Sequence, residues 1–202
     1  MILRVLAAAS LVLGVAILMG FLYALGEGPF ASVSARHLRA MKNRAAAPPR
    51  CDALPIAAMG ALPRGGSYRD YGAFEARGVA VEGYVERMIR AADGDLHLDL
   101  RGPAGPGTPY AIAEITPAWR RGSRRWGYDA LVVALRADGG VSAWEGGPRR
   151  VRLSGWLMYD FPHEGMRPRP GLPPAVAAWE VHPVTKIEIW SDSLGRYLEY
   201  PR

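Results

Sequence analysis

The chain has 202 residues and a formal net charge of +6, and half of its residues are hydrophobic. This length suffices for one ordinary domain plus a short additional segment, and it excludes two full domains. The single cysteine, Cys51, excludes an intrachain disulfide and a C-x-x-C-H haem motif. The basic charge balance fits contact with an anionic surface of lipid, nucleic acid or acidic protein.

Residues 1–27 predict a transmembrane anchor. The run from Val5 to Leu25 has about 21 residues without a charge, which spans the roughly 30 Å hydrocarbon core of a bilayer. Ala24 and Gly26 would fit a signal-peptide cleavage site, but the apolar region of a cleaved signal is shorter, at about 7–15 residues. Ala16, Gly20 and Ala24 are spaced by four, which predicts a face where another transmembrane helix packs closely.

The charges that flank this helix bear on its orientation. Arg4 and the α-amine favour a cytoplasmic N-terminus, whereas the basic residues after the helix favour the opposite orientation by the positive-inside rule. Those later residues are Arg36, Arg39, Lys42 and Arg44. We expect a single-pass signal-anchor in a bacterial inner membrane, with the rest of the chain on the periplasmic side.

Residues 28–74 predict a juxtamembrane segment and a linker. A short basic helix is predicted between Ser32 and Ala47, capped by Ser32 or Ser34, and a solvated basic spacer is the alternative. The stretch from Ala47 to Gly66 is rich in proline, glycine and alanine and has no periodicity. It therefore predicts an extended connector.

From about residue 75, apolar and polar residues alternate with period two, which predicts β-strands. Asp93-Gly94 predicts a hairpin turn, Leu131 to Leu135 fits a helix or a strand, and Asp138-Gly139-Gly140 predicts a turn. Proline-rich loops are predicted at 102–109 and 161–174. The predicted strands cover residues 79–90, 96–100, 111–116, 151–159 and 179–190, with Pro183 interrupting the last.

Three strands, a less regular stretch and two more strands follow each other in the order of an OB-fold barrel. Closing a barrel removes exposed strand edges, which suits a domain of this size. We therefore predict a mainly β protein, a small OB-fold-like five-stranded barrel over residues 75–202, with one N-terminal transmembrane helix. An open β-sandwich or a β-roll is the alternative.

Four stretches resemble motifs of a group of uncharacterised, usually exported bacterial proteins with an OB-fold-like domain. The closing segment A-W-E-V-H-P-V-T-K-I-E at 178–188 resembles their W-E-[IV]-H-P-[VI]-T strand, and three weaker matches precede it in order, at 81–85, 113–117 and 151–157. The chain departs from the group by a longer apolar N-terminus, a proline-rich loop at 102–109, and the lack of a cysteine and histidine cluster after the first strand. The resemblance implies a fold and an exported location, and no activity.

Histidines and carboxylates supply ligand types for a metal, but their spacing does not predict a site. His97, His163, His182 and Glu114 are candidates, and no two show a ligand-like spacing such as H-x-x-x-H. We therefore predict no metal and no cofactor. Because His182 precedes Pro183, we assign it to hydrogen bonding at a turn or bulge.

Enzyme chemistry receives only weak support from the sequence. Asp95, Asp99 and Glu114, with Arg87 or Arg101, supply the residue types of a nuclease without its motif. The alternative interpretation is that these residues are surface charges on half-exposed strands. Ser154 has no G-x-S-x-G setting, so serine hydrolysis is not indicated. We predict no catalytic residue.

A dense basic loop is the strongest candidate contact surface. Its cations and aromatics suit single-stranded nucleic acid, a protein interface, or a membrane surface, and a plain solvated loop is the further alternative. We favour a contact with a protein or with a membrane surface, because an exported protein seldom meets nucleic acid. The contact candidates are Trp119, Arg120, Arg121, Arg124, Arg125 and Trp126.

The sequence thus predicts a non-catalytic, membrane-anchored accessory subunit that packs against and stabilises a membrane protein complex, for example a respiratory or photosynthetic one. Its expected partners are the lipid bilayer and other membrane protein subunits, with no small-molecule substrate indicated. One alternative is a tethered extracytoplasmic binding module for an anionic ligand such as an oligosaccharide, a lipid headgroup or an oligonucleotide. A nuclease-like enzyme is the other.

Overall fold

The computed structural model describes residues 2–24, 31–102, 110–136, 147–164 and 175–202, with only the backbone for residues 2–9, 22–24 and 175–177. The chain divides into two compact units, Met1–Ala40 and Met41–Arg202. The predicted turn at 138–140, and most of the two predicted proline-rich loops, lie outside the described residues.

The first unit contains helix α1, Ile2–Ala24, and most of helix α2, Val33–Lys42. Ser32 caps α2, since its Oγ accepts a hydrogen bond from the Ala35 N–H at 3.0 Å, which confirms the predicted short helix and its cap. In α1 the side chains are described for residues 10–21 alone, and among the described residues no helix is long and apolar enough to cross a membrane. The transmembrane helix therefore stays a prediction.

The second unit contains seven strands, four short helices and a 3-10 turn within the described ranges. In chain order these are β1 Asp52–Ala53, α3 Ile56–Gly60, α4 Gly72–Glu75, β2 Gly78–Arg90, β3 Leu96–Arg101, β4 Tyr110–Ile115, α5 Pro117–Arg120, α6 Tyr128–Leu135, β5 Arg150–Tyr159, the 3-10 turn Phe161–His163, β6 Ala175–Ser191 and β7 Arg196–Glu199.

Five of the strands close into a barrel. β2 pairs antiparallel with both β3 and β5, β3 pairs antiparallel with β4, and β5 pairs antiparallel with β6. A parallel pairing between β4 and β6 completes the circuit. The stretch from 131 to 135, which the sequence left open, is part of helix α6 between the third and fourth barrel strands. The prediction of an OB-fold-like five-stranded barrel is confirmed.

The alternation seen in the sequence sorts side chains between the two faces of the barrel wall. Leu96, Leu98 and Leu100 of β3 are completely or almost completely buried in the core. Since neighbouring residues of a strand point to opposite faces, His97 and Asp99 lie on the outer face. The hairpin before β3 turns at Gly94, whose φ of 90° favours glycine, as Asp93-Gly94 predicted.

Where β5 and β6 cross, the backbones approach closely at Gly155. A Cβ on Gly155 would lie 2.2 Å from the carbonyl oxygen of Pro183, so no larger side chain fits there. The pairing of β5 with β6 shifts register on both sides of Gly155. The bulge that Pro183 predicted is therefore present.

The predicted connector at 47–66 is wrong, because it belongs to the folded unit. Leu54, Ile56 and Met59 are buried in the hydrophobic core together with Tyr71, and β1 pairs in parallel with β2. The compact unit accordingly begins at Met41 and not at residue 75. These core residues escaped detection because a two-residue strand and a five-residue helix are too short to show a period.

Candidate functional site

The predicted basic loop separates into buried and exposed parts. Trp126 is 1% exposed and belongs to the core, so it is not a surface contact, which corrects its assignment as a partner residue. Trp119 packs partly against the core, and its Nε1–H donates to the Arg44 carbonyl at 2.9 Å. Arg120 donates to the Gly94 carbonyl. These three side chains thus make contacts within the folded unit.

Arg121, Arg124 and Arg125 are exposed. They remain the part of the predicted contact surface that is open to a partner, and their role stays a prediction.

The predicted packing face of α1 is described only in part. Ala16 and Gly20 are exposed, and a Cβ on Gly20 would meet nothing within 4 Å. The side chain of Ala24 lies outside the described residues. Helix packing through this face stays a prediction.

A network of charged side chains covers the outer face of β3, β4 and β6. His97 of β3 donates from Nδ1 to Glu114 Oε1 at 2.9 Å and from Nε2 to Asp99 Oδ1 at 3.0 Å. Burial works against a charge on the ring, but these hydrogen bonds and the nearby carboxylates outweigh it and raise the pKa of His97 to about 9. The ring is therefore an imidazolium between two carboxylates at neutral pH.

The carboxylates beside His97 have further cationic partners. Asp99 accepts a hydrogen bond of 2.6 Å from Nε of Arg87, and the ammonium of Lys42 lies 3.8 Å from Glu114. Burial alone would raise the pKa of Glu114, but the neighbouring rings of His182 and His97 lower it well below its usual range. Asp99 and Glu114, proposed above as nuclease groups, are thus engaged in ion pairs.

His182 lies at the centre of this network. Its ring is fully buried, with Nδ1 at 3.1 Å from Glu114 and 3.4 Å from Glu180, and Nε2 at 3.3 Å from Asp95. Burial opposes protonation of the ring, but the three surrounding carboxylates raise the pKa of His182 well above its usual value. His182 lies at the predicted bulge. Its ring also contacts carboxylates from separate segments of the chain, namely Asp95, Glu114 and Glu180.

Two groups of three residues in this region have ligand types within 4.8 Å of one another. One group is Asp95, Glu114 and His182, all buried. The other is Asp160, His163 and Glu180, in which His163 is exposed and the two carboxylates are buried. Neither group has an H-x-x-x-H spacing, because each holds a single histidine and joins segments that are distant in the sequence.

A signal for this network was nevertheless present in the sequence. His97 and Asp99 are two residues apart on one strand, as are Glu180 and His182, and residues i and i+2 share a face. Charged pairs at that spacing, opposite a buried apolar face, indicate a polar network on the outer wall of the barrel.

A cleft of about 830 Å³ lies beside β2, β5, β6 and β7. We call it the arginine–aromatic cleft, because Arg149, Arg150, Tyr84, Trp190 and Tyr200 are among the residues that line it. The Arg150 guanidinium lies 4.7 Å from the centre of the Trp190 ring, a cation–π geometry. Arg136 adds a third guanidinium to the lining, and Asp192 and Glu199 add two carboxylates.

The strand pairing and the position of α6 define the class of this protein as an OB-type barrel. No model of a known protein family matches the sequence, and no curated protein matches it either. The class therefore rests on the topology of this chain.

Two solved structures show distant similarity. An asparaginyl-tRNA synthetase of Entamoeba histolytica matches with a TM-score of 0.37 and 15% identity over 76% of this chain and 25% of that chain. An OBody bound to hen egg-white lysozyme matches with a TM-score of 0.33 and 14% identity over 64% of this chain and 98% of that chain. The chain thus spans about a quarter of the synthetase. Similarity at this level does not indicate a function.

Proposed function

We propose that this chain is a non-catalytic, membrane-anchored accessory subunit whose barrel binds an acidic surface of a membrane protein complex. The observation that carries the proposal is the arginine–aromatic cleft. Arginine and large aromatic residues are enriched at the centres of protein interfaces, because they combine contact area with directed hydrogen bonds. Arg149 is exposed at this cleft, so its guanidinium is open to an acidic partner.

The apolar character of α1 supports the membrane anchor. Leu11, Val12, Leu13, Ile17 and Phe21 are each at least 60% exposed. An apolar helix with such side chains around its circumference needs an apolar environment, which a bilayer supplies. The helix has 23 residues, and at 1.5 Å per residue it would be about 35 Å long.

The ion pairs on the outer face support a non-catalytic role. Asp99 and Glu114, the groups suggested for a nuclease, both contact His97, and each has a second cationic neighbour, Arg87 or Lys42. A carboxylate used in this way is less available to hold a catalytic cation or to activate water. A nuclease is therefore the weakest of the three candidate functions.

The test is to extract the tagged full-length protein in mild detergent and to identify co-eluting proteins by native sizing and mass spectrometry. We expect stoichiometric membrane proteins to travel with the wild type. Arg149→Glu reverses one exposed charge at the cleft and should release them. Arg124→Glu is the matched control, since it reverses an exposed charge in the basic loop instead.

A wild-type protein that elutes as a clean monomer would refute the accessory-subunit role. Loss of partners on Arg124→Glu, with retention on Arg149→Glu, would move the interface from the cleft to the basic loop.

The size of the cleft favours one second candidate, a tethered binding module for an anionic ligand. Its volume of about 830 Å³ lies within the range of roughly 300–1,000 Å³ that is usual for small-ligand sites. The full-length protein should then bind a sulfated oligosaccharide, vesicles of anionic lipid or an oligonucleotide, and binding should weaken as salt is raised. Failure with all three probes would contradict this candidate.

A further inference from the structure

We infer that Asp160, His163 and Glu180 form a binding site for a divalent transition-metal ion of the zinc or manganese type. This inference goes beyond the proposed function and does not depend on it. It rests on the geometry of the three side chains, on their burial, and on an unsatisfied oxygen within the group.

The fold brings the three residues together from two neighbouring strands and one turn. Asp160 directly follows β5, and its backbone N–H donates to the Ala178 carbonyl of β6 at 2.8 Å. Glu180 lies two residues further along β6. The 3-10 turn after β5 then returns His163 to Asp160, where the His163 N–H donates to the Asp160 carbonyl at 2.9 Å and the ring Nδ1 contacts Asp160 Oδ2. One ligand atom from each residue lies within 4.8 Å of the other two.

Two carboxylates are buried here, and one of their oxygens has no hydrogen-bond partner within the described ranges. Asp160 is 1% exposed and Glu180 is 2% exposed. Asp160 Oδ1 has no hydrogen-bond partner among the described residues, which is costly for a buried acceptor. Within those residues, Lys42 makes its ion pairs with Asp93 and Glu114 instead of with this group. A cation coordinated by Asp160 and Glu180 would satisfy the free oxygen and neutralise the pair.

The donor set indicates which ions fit. One imidazole nitrogen with two carboxylates suits zinc or manganese, whereas calcium and magnesium prefer oxygen ligands alone. The His163 side chain is 51% exposed, so an ion can reach the site from solvent and can keep water as a further ligand. Binding would replace the proton that His163 Nδ1 shares with Asp160 Oδ2.

The neighbouring group of Asp95, Glu114 and His182 is a poorer candidate. The two ring nitrogens of His182 face different carboxylates, with Nε2 toward Asp95 and Nδ1 toward Glu114. The protonated ring therefore already lies between the two carboxylates and supplies positive charge to both. All three residues are also buried, so an ion has no direct access from solvent.

The test measures Zn²⁺ and Mn²⁺ affinity by calorimetry on chelator-stripped, tag-free, full-length protein in mild detergent. We expect one site, and His163→Ala should weaken affinity at least about tenfold, because even outer-shell changes at metal sites cost about that much. His163 is the variant of choice since it is half exposed. His37→Ala and Cys51→Ser are matched controls that remove other metal-binding side chains and should leave affinity unchanged.

A thermal unfolding scan with and without metal keeps the test independent of folding defects. Each protein is compared with its own metal-free midpoint, and added metal should raise the unfolding midpoint of the wild type but not that of His163→Ala. The absence of binding by both ions would overturn the inference. So would an unchanged affinity in His163→Ala, or a loss of affinity on Asp95→Asn that His163→Ala does not show.

Discussion

Replacing His97 by glutamine tests the electrostatic account of the outer-face network. Glutamine keeps a polar side chain but cannot carry the positive charge that lies between Glu114 and Asp99. The pKa of His97 is raised from 6.5 to about 9 in the fold, so the folded state binds the proton more tightly than the unfolded state. The contribution of this charge is fully present below pH 6.5 and is lost as the pH rises through about 9.

The raised pKa corresponds to about 3 kcal/mol, because each pKa unit is equivalent to roughly 1.36 kcal/mol. The His97 side chain is only 17% exposed, so solvent screens it weakly. We therefore expect the difference in unfolding free energy between wild type and His97→Gln to be about 3 kcal/mol larger at pH 6 than at pH 10. His182 titrates in both proteins, and its effect largely cancels in this difference.

The measurement is urea unfolding of both full-length proteins at the two pH values, followed by the fluorescence of the buried residues Trp126 and Trp179. An NMR titration of the histidine ring protons in the wild type gives the pKa of His97 directly. A difference between the two proteins that is equal at pH 6 and pH 10, together with a His97 pKa near 6.5, would refute the reasoning.

Three further predictions concern packing and are checked by the same unfolding assay. Met59→Ala should cost about 2–5 kcal/mol because Met59 is fully buried, whereas a residue in a true connector would show no change. Gly155→Ala should abolish or severely weaken folding, while Gly72→Ala, whose Cβ meets nothing within 4 Å, should be tolerated; equal effects would argue against the close approach at Gly155. Trp126→Ala should cost about 3–5 kcal/mol and Arg125→Ala less than about 0.5 kcal/mol, and the reverse order would place the tryptophan at the surface.

The barrel was predictable because strand burial has a simple period. Leu96, Leu98 and Leu100 alternate with polar residues, and that alternation located β3 and its core face without any tertiary information. The Asp93-Gly94 turn and the strand order then led to the OB-type arrangement. The first part of the folded unit was not predictable, since Ile56 and Met59 enter the core from elements too short to be periodic.

The charged network depended on pairings that lie far apart in the sequence. Glu114 meets His97 because β3 and β4 are antiparallel neighbours, and it meets His182 because β4 and β6 pair in parallel across 68 residues. No local spacing rule encodes such contacts. The sequence could supply the residue types, but not which carboxylate faces which histidine.

The sequence by itself determined where the barrel strands run and which of their faces is apolar, because burial of alternate side chains leaves a local pattern. Only the tertiary structure decided that Trp126 is buried, that Asp160, His163 and Glu180 converge, and that three arginines share one cleft with aromatic rings. The physical reason is that these properties depend on the closure of the barrel, which brings together segments that carry no mark of each other in the sequence.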